Sequence, residues 1–410
     1  MNILLSPTSY LPRTGGVQVA VQNLARAFRE MGHEVVIVTP RLDQAHPTFE
    51  IIEGIEVHRM PFALPWRLLW QNPQEGFLKT CLYGPAALRG LTRLMNEKRV
   101  DIVNVHHVGP QLPYLLFARW FKRSRMVLTL HGTELFRLNP KSERIRSFFI
   151  SHALGSAGQI IGVSPPVADE TGRSFPKAFG KIVTISNGVA VEEFTDCAPF
   201  PSPSPYILSL SRLNPIKGHD VLLRAFQEVA RNETDIRLII AADGPLRIRL
   251  HALSLALGLK DRVTFLGQVD RKKIKELLAG CEFLVNCSWI EGIPNAVLEA
   301  MAAGKAVIVT RVGGLPEVVS DFHTGRLVPP GDPQSLAKAM LFLLQDRNRT
   351  KTMGERGRNF VKLHHGFGQT AERYLEVYRK VLRDSGECVG ASAGKQIQEN
   401  NTKRSFNGGT

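Results

Sequence analysis

The sequence predicts an α/β protein of two doubly wound domains that face a central cleft. Short apolar runs alternate with segments of helical periodicity along most of the 410 residues, a pattern typical of parallel strands covered by helices on both faces. The alternation occurs twice, and a proline-rich stretch, DCAPFPSPSPY at 196–206, separates the two copies. A chain of this length also exceeds one ordinary hydrophobic core, so two domains are expected.

The first copy begins at the N-terminus and is expected to form a domain over residues 1–195. It opens with a strand-like run, NILLSP, followed by a glycine turn, a helical segment and a second run, HEVVIVTP. Gly32 lies where a glycine commonly ends a helix. Further buried runs follow at DIVNVHH, RMVLTLHG and QIIGVSP.

The second copy is expected to form a domain over residues 196–365. Its predicted strands are YILSLSRL, IRLIIAADG, VTFLGQV, EFLVNCS and AVIVTRVGG. We expect a helix over 366–383 to cross back to the first domain, and the polar residues 384–410 to be disordered. Ligands of doubly wound sheets bind at the carboxyl ends of the strands, and the loops that carry motifs here all follow strands.

The charge of the chain favours an acidic partner. The formal net charge is +15, and residues 1–190 hold 22 Lys and Arg against 13 Asp and Glu. Residues 191–410 hold 30 against 24, so the excess leans to the first half. No zinc-finger, helix-turn-helix or RNP pattern accompanies the charge, and we therefore expect an anionic membrane surface or a phosphorylated substrate and no nucleic acid.

Composition and cysteine use favour a folded cytoplasmic protein. Hydrophobic residues make up 43% of the chain and charged residues 22%. No window approaches the roughly 18 apolar residues of a membrane span, and the N-terminus lacks the basic and apolar regions of a signal peptide. The five cysteines are scattered without metal-binding spacing, which indicates reduced thiols.

Two cations lie in one loop after the first strand of the second domain. In SRLNPIKGHDVLLRAF, Arg212 and Lys217 precede a helix. Cations near a helix N-terminus suit a diphosphate, because the exposed N–H groups and the helix dipole also favour an anion. The alternative is that both are solvated surface charges.

Two carboxylates flank an uncharged run in EGIPNAVLEAMAAGKAV. Pro294 suits a first helical turn, so Glu291 should lie in the loop before a helix and Glu299 in its second turn. The loop amides of Gly292, Ile293 and Asn295 would face the same cleft. Acids spread over a hydroxyl-rich ligand suit a sugar and a ribose. The alternative is that Glu299 is a partly exposed helix residue.

The ordered set of motifs resembles the retaining nucleotide-sugar glycosyltransferases of the GT-B fold, specifically glycosyltransferase family 4. The resemblance covers about residues 1–383. The motifs are Gly15–Gly16, GHEVVIVT, the HG pair at His131 and Gly132, SNGV, SRL with KG, ADGP, VTFLGQV, the two glutamates eight residues apart, and GGLPEVV.

The resemblance implies a role for each candidate around the donor diphosphate and sugar. Arg212 and Lys217 would neutralise the diphosphate as the glycosidic bond breaks. Gly16 would let the N-terminal loop approach the phosphate without a side chain in the way. Glu291 would meet the hydroxyls of the donor sugar, and His131, after the strand MVLTL, would lie near the reacting carbon. As an isolated feature, a histidine in that position is more often structural.

The resemblance also implies the remaining contacts and the substrates. Glu299 would hold the ribose, and the backbone near Val269 would meet the nucleobase, with the turn that begins at Asp243 beside it. The donor would be a UDP- or GDP-linked hexose, used with retention and with no cofactor or metal. The acceptor would be a saccharide or lipid-linked saccharide of envelope or exported polysaccharide or glycolipid synthesis.

Two segments predict contact with the inner face of the cell membrane. Basic and aromatic residues alternate in YLLFARWFKRSR at 114–125, and FALPWRLLWQ at 62–71 carries two tryptophans beside Arg67. The alternative for the first segment is an ordinary helix packed on the sheet.

Other functions remain open or are disfavoured. A nucleotide-sugar-binding protein without transferase activity, and a transferase for a soluble acceptor, both remain open. A dinucleotide oxidoreductase is disfavoured by the lack of GxGxxG after the first strand, and a P-loop kinase by the lack of GxxxxGK[ST].

Overall fold

The first domain contains a sheet that ends in an antiparallel hairpin at one edge. The computed structural model describes residues 1–12, 15–43, 45–62, 73–119, 124–132 and 143–384. The strands are β1 (Asn2–Pro7), β2 (Glu34–Pro40), β3 (Phe49–Ile52), β4 (Ile55–Met60), β5 (Ile102–His106), β6 (Arg125–Leu130), β7 (Gln159–Gly162) and β8 (Ile182–Thr184). They are ordered β3-β4-β2-β1-β5-β6-β7-β8, and every neighbouring pair is parallel except β3 with β4.

Helices cover both faces of this sheet. They are α1 (Gly16–Glu30), α2 (Pro73–Glu97), α3 (Gln111–Ala118), α4 (Glu143–Ser156) and α5 (Pro165–Ser174). The amphipathic helix α1 buries Val21, Leu24 and Phe28 in the core. It ends as predicted, because Gly32 has a φ of +80° just beyond the C-cap, a backbone conformation that favours glycine.

The second domain contains a fully parallel sheet. The strands are β9 (Tyr206–Ser209), β10 (Arg237–Ile240), β11 (Val263–Phe265), β12 (Phe283–Asn286), β13 (Ala306–Thr310) and β14 (Gly325–Val328). Their order is β11-β10-β9-β12-β13-β14. The helices are α6 (His219–Asn232), α7 (Arg247–Ala256), α8 (Arg271–Gly280), α9 (Asn295–Ala302), α10 (Leu315–Val318), α11 (Pro333–Gln345) and α12 (Arg347–His364). This arrangement confirms the predicted two-domain α/β class.

A final helix, α13 over 367–384, leaves the second domain and packs on the first. Tyr374 and Tyr378 are buried in the same apolar cluster as Ile3 and Phe28. Asn104 Nδ2 on β5 donates to the Tyr378 hydroxyl over 2.6 Å. The chain therefore crosses between the domains twice, once through the linker near 196–206 and once before α13.

Parts of three sequence predictions lie outside the described residues. They are the tail beyond Asp384, most of the segment 62–71, and residues 120–123 of the basic aromatic segment. Among the helices that the structure does describe, none combines the length and the apolar character that a membrane span requires.

Candidate functional site

The carboxyl ends of the two sheets face each other, and direct contacts join them. Asn295 Nδ2 donates to the carbonyl oxygen of Gly16 over 3.0 Å, and Asn187 Nδ2 donates to that of Ile293 over 3.5 Å. A Cβ added to Gly292 would lie 3.7 Å from the carbonyl oxygen of His131. The fold therefore brings predicted residues of both domains to one cleft.

The loop that carries the two predicted cations is shaped by a left-handed glycine. Residues Pro215–Lys217 form a 3₁₀ turn, and Gly218 follows with a φ of +65° and begins α6. A Cβ at Gly218 would lie 2.2 Å from the carbonyl oxygen of Cys287, so no side chain fits there. This close approach places Lys217 against the loop that follows β12.

Lys217 and Glu291 form an ion pair that both loops shield from water. Lys217 Nζ contacts Glu291 Oε1, and their side chains are 17% and 10% exposed. Ser288 Oγ donates to the same carboxylate oxygen over 2.9 Å. Arg212, in contrast, is exposed and makes no ion pair with any residue that the structure describes. One cation of the predicted pair is thus engaged by an acid, and the other is available to a ligand.

The loop around Glu291 is packed from behind by the GGLPEVV motif. A Cβ at Gly313, which has a φ of +54°, would lie 1.8 Å from the carbonyl oxygen of Glu291. The Gly314 N–H donates to the carbonyl oxygen of Gly292 over 3.1 Å. The side chain of Ile293 is buried in the core, so Ile293 offers only its backbone to a ligand.

Glu299 is buried, which makes the alternative of a partly exposed helix residue wrong. It is 6% exposed in the second turn of α9, and its Oε1 pairs with Arg271 Nη1 at the start of α8. Arg271 Nη2 also lies 3.4 Å from Glu193 Oε2. Since an unpaired buried carboxylate is costly, the guanidinium of Arg271 offsets the cost of burying Glu299.

Glu193 joins cations from both domains. Arg26 Nη2 of α1 contacts Glu193 Oε1 at 2.6 Å, and Lys275 Nζ contacts Glu193 Oε2 at 3.0 Å. Burial alone would raise the pKa of Glu193, but hydrogen bonds from Arg26 and Lys275 and the charge of Arg271 lower the pKa to about 2. A chain of charges therefore connects α1 with Glu299.

His131 lies at the carboxyl end of β6, beside a second histidine. His106 Nδ1 is 3.4 Å from His131 Nε2, and the Tyr374 ring of α13 stacks on His106 with centroids 6.2 Å apart. Burial lowers the pKa of His106 to about 3, so this imidazole is neutral at physiological pH. The two histidines, with Asn187 and Thr370, line a small cavity between the first domain and α13.

The predicted nucleobase residues lie near the ends of β10 and β11. Val269 is half-buried, packs on the apolar core and directly precedes Asp270, which caps α8. Asp243 is exposed and contacts Arg247 at 3.3 Å. Its carbonyl oxygen accepts a hydrogen bond from the Leu213 N–H over 3.0 Å, which connects this turn with the loop of Arg212.

Gly16 begins α1 at the opposite wall of the cleft. No atom lies within 4 Å of the position that a Cβ would occupy there, and the first turn of α1 contains no acidic residue. The positive end of the helix dipole is therefore not neutralised by its own side chains.

Two family models match adjoining parts of the chain. The model described as Glycosyltransferase Family 4 matches residues 14–193, and the model described as Glycosyl transferases group 1 matches residues 191–360. Together they span both domains. The chain belongs to glycosyltransferase family 4.

Relatives and solved structures agree with this assignment. N-acetyl-α-D-glucosaminyl L-malate synthase of Bacillus anthracis is 27% identical over 94% of this chain and 98% of its own length. A GDP-mannose-dependent monoacylated α-(1-6)-phosphatidylinositol monomannoside mannosyltransferase of Corynebacterium glutamicum is 26% identical over 93% of this chain and 98% of its own. Anabaena HepE in complex with UDP-glucose has a TM-score of 0.70, with 20% identity over 92% of this chain and 99% of that one, which shows a shared GT-B fold.

Sequence reasoning missed several residues of this glycosyltransferase that contact the predicted ones. Ser288 and Arg271 bond to the two acids, and His106 and Asn187 line the cavity beside His131. The HH pair in DIVNVHH and the asparagine of SNGV could have indicated these residues. Both lie at or just after the end of an apolar run, where site residues of such sheets are expected. No group of three or more His, Cys, Asp or Glu side chains able to hold a metal occurs in the described part of the chain, and independence from metal stays a prediction.

Proposed function

We propose that this glycosyltransferase moves a hexosyl group, with retention of anomeric configuration and without a metal, from a UDP- or GDP-linked donor to a saccharide or lipid-linked saccharide. The proposal rests on the ion pair Lys217–Glu291, which shares its loop with the exposed Arg212. These residues lie on one wall of the cleft, and α1 begins on the opposite wall. This arrangement supplies cations for a diphosphate and an acid for sugar hydroxyls at adjacent positions.

The cations support departure of a diphosphate. As the bond between the anomeric carbon and the phosphate oxygen breaks, negative charge grows on that oxygen. Arg212 is free to approach it, and Lys217 can exchange Glu291 for the phosphate through a small side-chain rotation. The start of α1 at Gly16 adds N–H groups and a positive dipole from the other wall. Together these groups perform the charge neutralisation for which other enzymes use Mg²⁺.

The acids and amides support binding of the sugar and the nucleoside. Glu291, the backbone of Gly292 and Ile293, and Asn295 would bind the donor sugar, and His131 would lie near the reacting carbon. In the proposed step the acceptor oxygen attacks from the face that the phosphate leaves. Its proton passes to the departing phosphate oxygen, so the new bond has the configuration of the old one.

A surface of the first domain supports the proposal that the enzyme binds the cytoplasmic face of an anionic membrane. Arg119 Nη1 donates to the carbonyl oxygen of Ser156, and Lys181 Nζ donates to that of Gly155, so both cations meet at the C-terminal end of α4. Phe117 and Phe179, two residues from these cations, are 45% and 83% exposed. We call Phe117, Lys177 and Phe179, all exposed, the aromatic edge. The Corynebacterium relative is named for a phosphatidylinositol glycolipid, which fits such a surface.

A soluble acceptor is the second candidate. The Bacillus relative is named for L-malate, a small soluble acid. In addition, the described part of the segment 114–125 resembles an ordinary packed helix, since Leu115 is buried in the core. A binding protein without transferase activity is the remaining alternative.

One assay separates these possibilities. The protein is incubated with UDP- and GDP-hexoses, each with lipid-linked saccharides or with small hydroxy acids and free sugars, and released nucleoside diphosphate and glycoside are measured. Product with a lipid-linked acceptor, with the donor anomeric configuration by NMR, supports the proposal. An inverted product contradicts the mechanism, and binding without any product indicates the non-catalytic alternative.

A further inference from the structure

The acid proposed to hold the ribose is already held by an arginine. Glu299 Oε1 is paired with Arg271 Nη1, and no described residue donates to Glu299 Oε2. We propose that Arg271 is a positioning residue for nucleoside recognition, which turns the Glu299 carboxylate so that it accepts both ribose hydroxyls. The inference rests on the proposed function, because it takes Glu299 as the ribose acid.

Arg271 is itself fixed from three sides. Its second terminal nitrogen, Nη2, lies 3.4 Å from Glu193 Oε2, and its guanidinium carbon lies 4.9 Å from the centre of the Phe194 ring. Glu193 is held in turn by Arg26 at 2.6 Å and Lys275 at 3.0 Å. Because the planar guanidinium is bound at both terminal nitrogens and lies over a ring, it is held in one orientation. This orientation in turn fixes that of the Glu299 carboxylate.

This arrangement leaves acceptor capacity where a ribose needs it. A carboxylate has about four acceptor positions, and Arg271 occupies one on Oε1. The remaining positions, including both on Oε2, can accept two vicinal hydroxyls. Because Glu299 is only 6% exposed, those bonds would form away from bulk water, where hydrogen bonds are stronger. Without Arg271 the carboxylate would rotate toward solvent or another donor, and both ribose hydroxyls would lose their acceptor.

The test is the preference for a ribonucleotide over its 2′-deoxy counterpart. Dissociation constants for UDP, 2′-deoxy-UDP, GDP and 2′-deoxy-GDP are measured by calorimetry on the full chain. We expect Arg271→Met to weaken binding of the preferred ribonucleotide about tenfold more than binding of its 2′-deoxy form, because the deoxy form has only the 3′-hydroxyl to lose and the difference is one charge-assisted hydrogen bond. The preference of Arg271→Lys should lie between those of the unmodified protein and Arg271→Met, because lysine keeps the charge and loses the planar fork.

A matched control and an anchor variant accompany these measurements. Lys273 lies on the same helix but contacts Glu276 and the Phe200 ring, so Lys273→Met should leave the preference unchanged. Glu193→Gln keeps the Arg271–Glu299 pair and removes the carboxylate that anchors Arg271. It should therefore reduce the preference for the ribonucleotide by a smaller factor than Arg271→Met does. If Arg271→Met does not fold, Arg271→Lys and Glu193→Gln decide the question.

The outcomes separate this inference from the proposed function. Equal weakening of ribo- and deoxynucleotides by the Arg271 variants would show a purely structural role and overturn the inference. If Glu299→Gln abolishes the preference while the Arg271 variants keep it, the inference falls and the ribose role of Glu299 stands. If Glu299→Gln keeps the preference, both the ribose role and the inference fail. Failure of the unmodified protein to bind any of the four nucleotides contradicts the proposed donor and the inference with it.

Discussion

Lys217 and Glu291 form an ion pair that joins the loop after β9 to the loop after β12, although the two residues lie far apart in the sequence. Without a donor, each charge satisfies the other, and Ser288 supports the acid. Binding of a diphosphate would divide them, giving Lys217 to the phosphate and Glu291 to the sugar. In the proposed function, the pair would hold both charges in place until the donor binds.

Replacing Arg212 or Lys217 with Ala should lower turnover by roughly 10²–10³-fold, the loss typical of one preorganised charge-stabilising group. Steady-state kinetics with the preferred donor provides the measurement. Arg212→Ala is the cleaner variant, since Arg212 is exposed, whereas Lys217→Ala also leaves Glu291 without its cation. Arg224→Ala, at an exposed position of α6, is the control. Near-normal turnover in Arg212→Ala would remove that residue from the site.

Chelation should leave activity unchanged, because in the proposed site the two cations and the start of α1 would neutralise the diphosphate. We expect initial rates in excess EDTA to equal those with added Mg²⁺ or Mn²⁺. Loss of activity in EDTA, with recovery on adding either ion, would contradict metal independence.

Stability should fall as the pH drops below about 6.5, because of buried histidines. Burial lowers the pKa of His106 to about 3 and that of His219 to about 4, whereas an unfolded histidine has a pKa near 6.5. Between these values the unfolded state binds more protons, so the free energy of unfolding decreases by about 1 kcal/mol per pH unit for each histidine. Urea denaturation at pH 7.5, 6.5 and 5.5 measures this decrease.

The control for this prediction is His219→Asn, which should reduce the pH dependence of the free energy of unfolding without abolishing it. Glu193 does not interfere above pH 5, since its lowered pKa contributes stability that is lost only as the pH falls from about 4.5 toward 2. An unmodified protein equally stable at pH 5.5 and 7.5 would show that these histidines are not buried as neutral groups.

The protein should sediment with anionic vesicles at low salt and much less at high salt or with neutral vesicles. The basic excess of residues 1–190 supplies the charge, and the aromatic edge supplies apolar contact. Phe179→Ser combined with Lys177→Glu should reduce the bound fraction. Ile248→Ser, at an 86% exposed position of the second domain, should not. Equal recovery in the supernatant for both vesicle types would favour a soluble acceptor.

The layout of the fold was predictable, but its edges were not. Buried parallel strands produce continuous apolar runs, so β1, β2, β5 and most strands of the second sheet could be identified from the sequence. The hairpin β3–β4 was missed, because exposed and buried residues alternate there and its register depends on pairing with β2. Loops after strands also indicated where Arg212, Lys217, Glu291 and His131 would lie.

Contacts between distant segments could not be predicted. His106 pairs with Thr129 in the β5–β6 register, which places it beside His131 two residues further on, and no local pattern contains that register. Arg271 precedes Glu299 by a strand and a helix, and its role depends on how α8 and α9 pack. The burial of Glu299, which contradicts a partly exposed helix residue, is likewise a property of the packed domain.

The return of α13 makes the second domain an insertion within the first domain rather than the second half of a tandem. Its residues begin after the proline-rich linker and end before α13, whose Tyr378 is bonded to Asn104 of β5. A chimera made by joining the N-terminal half of this chain to the C-terminal half of another would therefore import a foreign helix into the first core. Donor specificity should instead be exchanged as an internal cassette near 196–365, with the native ends of the chain retained on both sides.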